Sequence, residues 1–111
     1  MELAHTIVNA LEEKKAENIV LLDIKELTAF TDYFIICTGT SNRMLNALAD
    51  GVSEKTRLDH KKKGRIEGQA DSGWIIVDYG DIVVHIFDNE LRQYYKLEEL
   101  WDEGKILLTV Q

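Results

Sequence analysis

The chain has 111 residues and a formal net charge of −7, with 45% hydrophobic and 30% charged side chains. That length suits one hydrophobic core, and the acidity argues against a generally basic nucleic-acid binder. No apolar run approaches the roughly 20 residues needed to span a bilayer.

Met1–His5 lacks the basic segment and long apolar stretch of a signal peptide, so the expected location is the cytoplasm. Glu2 to Glu17 reads as a helix: Leu3, Ile7, Ala10 and Leu11 form one stripe, with Glu12, Glu13, Lys14 and Lys15 outside it. Ile19 to Ile24 is a continuous apolar run, read as a buried strand. Lys25 to Asp32 is a polar connection, and Tyr33 to Thr38 a second buried strand. Cys37, the single cysteine, lies inside that strand. It excludes an intrachain disulfide and reads as a small core residue rather than a reactive thiol.

Gly39-Thr40-Ser41 then switches the period. Ser41 has the chemistry of an N-cap, and Leu45, Leu48, Ala49 and Val52 follow at helical spacing. A helix is expected from about Asn42 to about His60, with Gly51 as a local weakness. His60 to Arg65 is a basic loop, Arg65 to Gly68 a short edge strand, and Gln69 to Gly73 a polar turn.

Trp74 to Phe87 reads as two strands around a Gly-Asp turn. With Gly80 and Asp81 as the loop, Val77 faces Val84, Ile76 faces His85 and Trp74 faces Phe87. Cross-strand partners share a face and successive residues alternate. One face is therefore Ile75, Val77, Tyr79, Ile82, Val84 and Ile86, a core face. The other is Trp74, Ile76, Asp78, Val83, His85 and Phe87, which mixes large apolar groups with an acid and an imidazole. That mixture is the chemistry of a docking surface. A different loop length would regroup these residues. Asp88-Asn89-Glu90 opens a final helix, its acids suited to the N-terminal dipole. Leu91, Tyr94, Leu97 and Trp101 are expected along one side of it. Lys105 to Gln111 is a short tail, read as extended.

The expected order is α-β-β-α-(β)-β-β-α: an α/β chain with one mixed sheet and helices packed mainly on one face. No repeat, low-complexity segment or linker interrupts it, and residues 1–111 are read as a single domain. No catalytic residue, metal ligand or cofactor site emerges. Gly39-Thr40-Ser41 lacks the lysine and longer glycine fingerprint of a phosphate loop, and a helix cap is the simpler account. Asp78, Asp81 and His85 do not reach the three well-placed ligands of a catalytic metal site. Lys61-Lys62-Lys63 is either a solvated loop or a contact for a phosphate backbone. The acidic body suits a basic partner.

Asp32 to Arg43, Glu67-Gly68, Trp74 to Phe87, Arg92 to Tyr95, Leu97-Glu98 and Leu100-Trp101 together resemble the Iojap, or ribosomal silencing factor, family. The likeness runs through about residues 3 to 101 in unbroken order. It implies a nucleotidyltransferase-like fold without the catalytic apparatus. In agreement, Gly39-Thr40-Ser41 is followed by no acid-x-acid pair on a strand to hold two metals. It also implies docking on the large ribosomal subunit through large-subunit ribosomal protein fourteen, with joining of the small subunit blocked and translation lowered when nutrients are scarce. Organelle relatives are tied to large-subunit assembly. The expected contact set is Trp74, Asp78, Tyr79, Gly80 and Asp81, then His85, Asn42 and Arg43. Lys61, Lys62 and Lys63 are expected to brush ribosomal RNA. The competing expectations are an enzyme on the same fold, with nucleotide or metal affinity at Gly39 to Ser41, and a homodimer through the Trp74 face.

Overall fold

A computed structural model of the chain describes residues 2–100 and 103–111. Helix α1 (Glu2–Glu13) buries Ala4, Ile7, Val8, Ala10 and Leu11 on one stripe. It stops at Glu13, short of the expected Glu17, because the next places on that stripe fall to Lys14 and Lys15. Lys15 takes a left-handed conformation (φ 66°). The Lys15 and Ala16 N–H groups then close the helix on the carbonyls of Glu12 and Leu11. Strand β1 (Glu17–Asp23) therefore starts earlier than its apolar run.

β2 (Tyr33–Thr38) and α2 (Asn42–His60) have the bounds read from the sequence. The Ser41 hydroxyl caps α2 by accepting from Met44 N–H at 3.1 Å. A Cβ at Gly51 would lie 3.2 Å from Lys14 Cγ. The Lys14 side chain thus lies over Gly51, at the C-terminal end of α1. His60 Nε2 and Thr6 Oγ1, 2.7 Å apart, tie the two helices together near the far end.

β3 (Arg65–Gln69), a short 3-10 turn, β4 (Trp74–Asp78), β5 (Ile82–Phe87), α3 (Asn89–Tyr95), α4 (Leu97–Leu100) and β6 (Lys105–Val110) complete the order. The strands form one six-stranded sheet, β3-β4-β5-β2-β1-β6. β2 and β5 run parallel and the other neighbours antiparallel.

Helices α1 and α2 cover one face of this sheet. Between them lie Ile19 and Leu21 from β1, Ile35 and Cys37 from β2, and alternate residues of the hairpin. Burial pushes the Cys37 thiol pKa up to about 12, against a weaker pull from Arg92, which fits an inert core residue. On the opposite face α3 and α4 cover one end, where Ile36, Phe87 and Leu97 are buried with Phe34, Trp74 and Leu91 around them.

At the C-terminal end one expectation changes, and the extended tail gains a partner. The final helix breaks at Lys96 (φ 48°), so Leu91 and Leu97 reach the sheet but Tyr94 is 76% exposed. Trp101, expected on the same side, lies outside the described residues. The tail is strand β6, paired antiparallel with β1. An edge strand needs a free edge to pair with, and the local sequence does not reveal one.

Candidate functional site

The hairpin has the register that a two-residue loop dictates: Trp74 pairs with Phe87, Ile76 with His85 and Asp78 with Val83. Tyr79 N–H donates to Ile82 C=O at 2.8 Å and closes the turn. Gly80 supplies the positive φ (89°) that such a loop requires. The tip is fastened from two sides. Asp78 Oδ1 accepts from Gly80 N–H at 2.8 Å. The Asp81 carbonyl accepts from Asp32 N–H at 2.9 Å and Tyr33 N–H at 3.1 Å.

Asp78, Gly80 and Asp81 are thus together at the tip. Asp78 is already engaged, because its other oxygen lies 3.5 Å from Arg65. Trp74 is on the same face at the far end of β4, about 13 Å away by the strand rise. Its ring packs against Phe87 and Tyr95, each centroid at 4.8 Å, and its Nε1–H donates to His85 Nδ1 at 3.2 Å. Trp74 is therefore a half-buried residue that joins α3 to the sheet as well as a candidate anchor.

Tyr79 is on the other face. Its hydroxyl lies 2.8 Å from Thr56 Oγ1 on α2, and burial raises its pKa while the hydrogen bond with Thr56 opposes the shift. The alternation of the strand sends it there, and Thr56 holds it. Asn42 and Arg43 are exposed in the first turn of α2, at the Trp74 end of the hairpin. There the Gly39 N–H donates to Phe87 C=O.

His85 is 6% exposed. Burial lowers its pKa to about 4, with the Asp78 charge acting in the opposite direction. At neutral pH the imidazole is uncharged. Because Trp74 donates to Nδ1, the ring proton is assigned to Nε2. Among the described residues, no three His, Cys, Asp or Glu side chains are arranged to hold a metal ion.

Reading Lys25 to Asp32 as polar hid a wall of the site. Leu27, Phe30 and Thr31 from that loop border a groove of about 580 Å³, floored by Phe34, Ile76, Val83 and His85 and rimmed by Glu67 and Asp78. Phe30 is 92% exposed. The signal was present in the sequence: Leu27, Ala29 and Phe30 make the connection only partly polar. The groove is an apolar cleft with a few polar groups and an acidic rim, suited to holding a side chain of a basic partner.

A profile of the family described as "Ribosomal silencing factor during starvation" matches residues 1–110. The chain belongs to the ribosomal silencing factor family. A ribosomal silencing factor of Halalkalibacterium halodurans is 37% identical over 93% of this chain and 88% of its own length. A crystal structure of a Chromobacterium violaceum protein superposes with a TM-score of 0.86 at 37% identity, covering 91% of this chain and 84% of that one. A mouse protein named "Mitochondrial assembly of ribosomal large subunit protein 1" is 35% identical over 86% of this chain and 43% of its own length. In this chain the open part of the sheet face lies between α3 and the Leu27–Thr31 loop.

Proposed function

We propose that this chain, as one domain over residues 1–111, docks on the large ribosomal subunit through large-subunit ribosomal protein fourteen. There it sterically blocks joining of the small subunit and lowers translation when nutrients are limiting. It acts by binding, in the cytoplasm, and turns over no substrate. The observation that carries the reading is the uncovered part of the sheet face. In a family of ribosomal silencing factors, it offers an apolar groove with Asp78 and Glu67 on its rim. A basic ribosomal protein complements that rim. Trp74, His85, Asp78, Gly80 and Asp81 lie on or beside this surface. Tyr79 acts from the opposite face as a support of the tip, and Asn42 and Arg43 extend the surface at its Trp74 end. A homodimer of the free protein through the same face would compete with docking.

The test is binding to purified large subunits with subunit joining followed in the same samples. Wild type should bind and prevent joining. Asp81→Lys, an exposed charge reversal at the tip, should keep the unfolding temperature and lose both effects. Trp74→Ala should also lose both, at a cost in stability of about 2 kcal/mol from its partly buried ring contacts. Wild type that leaves joining intact would overturn the reading. The mouse relative's name favours a second reading, large-subunit assembly. That reading predicts accumulation of incomplete large subunits in cells lacking this protein.

A further inference from the structure

We infer that the groove between the Leu27–Thr31 loop and the open sheet face seats one apolar side chain of an extended, basic protein segment, with Thr31 and His85 meeting that segment's main-chain amide. The inference rests on the docking reading and supplies the partner's chemistry at that face.

The first observation is shape. The groove has a volume of about 580 Å³, room for a large aliphatic side chain and part of its backbone. Phe30 stands 92% exposed on its wall, held there by Thr28 Oγ1 accepting from Phe30 N–H at 3.1 Å. An exposed aromatic beside an apolar floor gains most when a partner closes over both.

The second is polarity. Among the described residues, Thr31 Oγ1, Ser53 Oγ and His85 Nε2 are buried side-chain atoms with no hydrogen-bond partner. Two of these, on Thr31 and His85, belong to residues that line this one groove. Trp74 occupies His85 Nδ1, so Nε2 is a donor, while the Thr31 hydroxyl can donate or accept. A peptide amide offers the matching acceptor and donor. An unpaired buried group bears its desolvation penalty uncompensated, a cost that docking would relieve. Because both atoms are shielded from solvent, the loop must shift outward to admit the segment. Its inner anchors are the Leu27 and Thr28 N–H groups on Ile24 C=O.

The third is charge. Glu67 and Asp78 rim the groove, and Asp32 and Asp81 meet at the adjacent tip. Arg65 lies 3.6 Å from Glu67 and 3.5 Å from Asp78, which reduces the negative field without reversing it. The rim favours a segment with Lys or Arg beside its apolar residue and disfavours a phosphate backbone.

The experiment measures binding of wild type, Phe30→Ala and Thr31→Val to purified large subunits, with thermal unfolding of each protein. Phe30→Ala should keep its unfolding temperature and bind about tenfold more weakly. Thr31→Val removes an unpaired hydroxyl at nearly constant volume. It should raise the unfolding temperature by a few degrees while weakening binding about fivefold. A purely structural Thr31 would not give opposite signs in the two measurements. If wild type binds and both variants bind equally well, the groove inference is overturned and the docking reading stands. Displacement of wild type by ribosomal RNA alone would overturn it in favour of a nucleic-acid partner. If wild type does not bind at all, the docking reading fails and the inference fails with it.

Discussion

Val83 and Val84 are neighbours in β5 that face opposite sides of the sheet, and they show how differently the two sides are built. Val84 is fully buried in the core beneath α1 and α2. Val83 is half-buried on the floor of the groove. The helix face is aliphatic along the middle of its strands, with Asp23, Tyr33 and Tyr79 at its rim. The open face interleaves Phe34, Ile76 and Val83 with His85 and Asp78. One side is an aliphatic core closed by two helices, whereas the other sets an acid and an imidazole among its apolar groups.

The largest expected effect separates the two valines directly. Val84→Asp places a carboxylate among buried aliphatic groups and should cost more than about 4 kcal/mol, enough to unfold the protein. Val83→Asp sits at a water-accessible floor and should cost about 1–2 kcal/mol. The folded variant should bind large subunits poorly. Circular dichroism and urea unfolding of the pair would break the comparison if the two costs were equal.

The helix face and the hairpin's share of the open face were legible in the sequence, and the groove's loop wall was not. Alternation around a two-residue loop gave every cross-strand pair from Trp74–Phe87 to Asp78–Val83. Ser41 and the Leu45, Leu48, Ala49, Val52 stripe gave α2. These are local signals with a fixed period. The groove's second wall comes from a loop distant in sequence, so no period marks it. The break at Lys96 depends on a left-handed backbone at a residue that does not require one. Strand β6 depends on the free edge of β1. Tyr79 was legible by face, but its bond to Thr56 crosses 23 positions of sequence.

Next in size is an effect of pH. His85 in the folded protein has a pKa of about 4, below the usual value of 6.5. The unfolded chain therefore binds more protons between those values, and stability falls as pH drops from about 6.5 towards 4. The loss is of the order of 3 kcal/mol when both states are fully protonated at this residue. His85→Phe should be less stable at pH 7, because Trp74 Nε1–H loses its acceptor, but should lose less stability than wild type on acidification. Urea unfolding of both proteins at pH 7 and pH 5 measures the difference. Equal slopes would mean that His85 is not held neutral by burial.

A smaller effect decides what Ser41 is for. As an N-cap, its hydroxyl satisfies Met44 N–H. Ser41→Ala should cost about 1 kcal/mol, and Ser41→Asp should restore it through the same hydrogen bond and the helix dipole. A phosphate site would behave in the opposite way, since Asp would repel the ligand. Thermal unfolding of the two variants, with and without added nucleotide, sharpens the distinction between a structural helix start and a relic binding loop.

The smallest effect on stability belongs to the basic loop. Lys61 ends α2 in a left-handed conformation, with the Lys61 and Lys62 N–H groups bonded to Arg57 and Thr56 carbonyls. Those bonds are made by the backbone, and all three lysine side chains are exposed. Replacing Lys61, Lys62 and Lys63 together with Gln should therefore change stability by less than about 0.5 kcal/mol. The same variant is informative in binding. If the loop touches ribosomal RNA while the acidic face holds a basic protein, the two contacts respond differently to loss of cationic charge. The variant should bind large subunits more weakly, and salt should weaken it less steeply than wild type, because fewer counterions are released. Unchanged affinity and an unchanged salt slope would remove the RNA contact and leave the open sheet face as the whole of the docking surface.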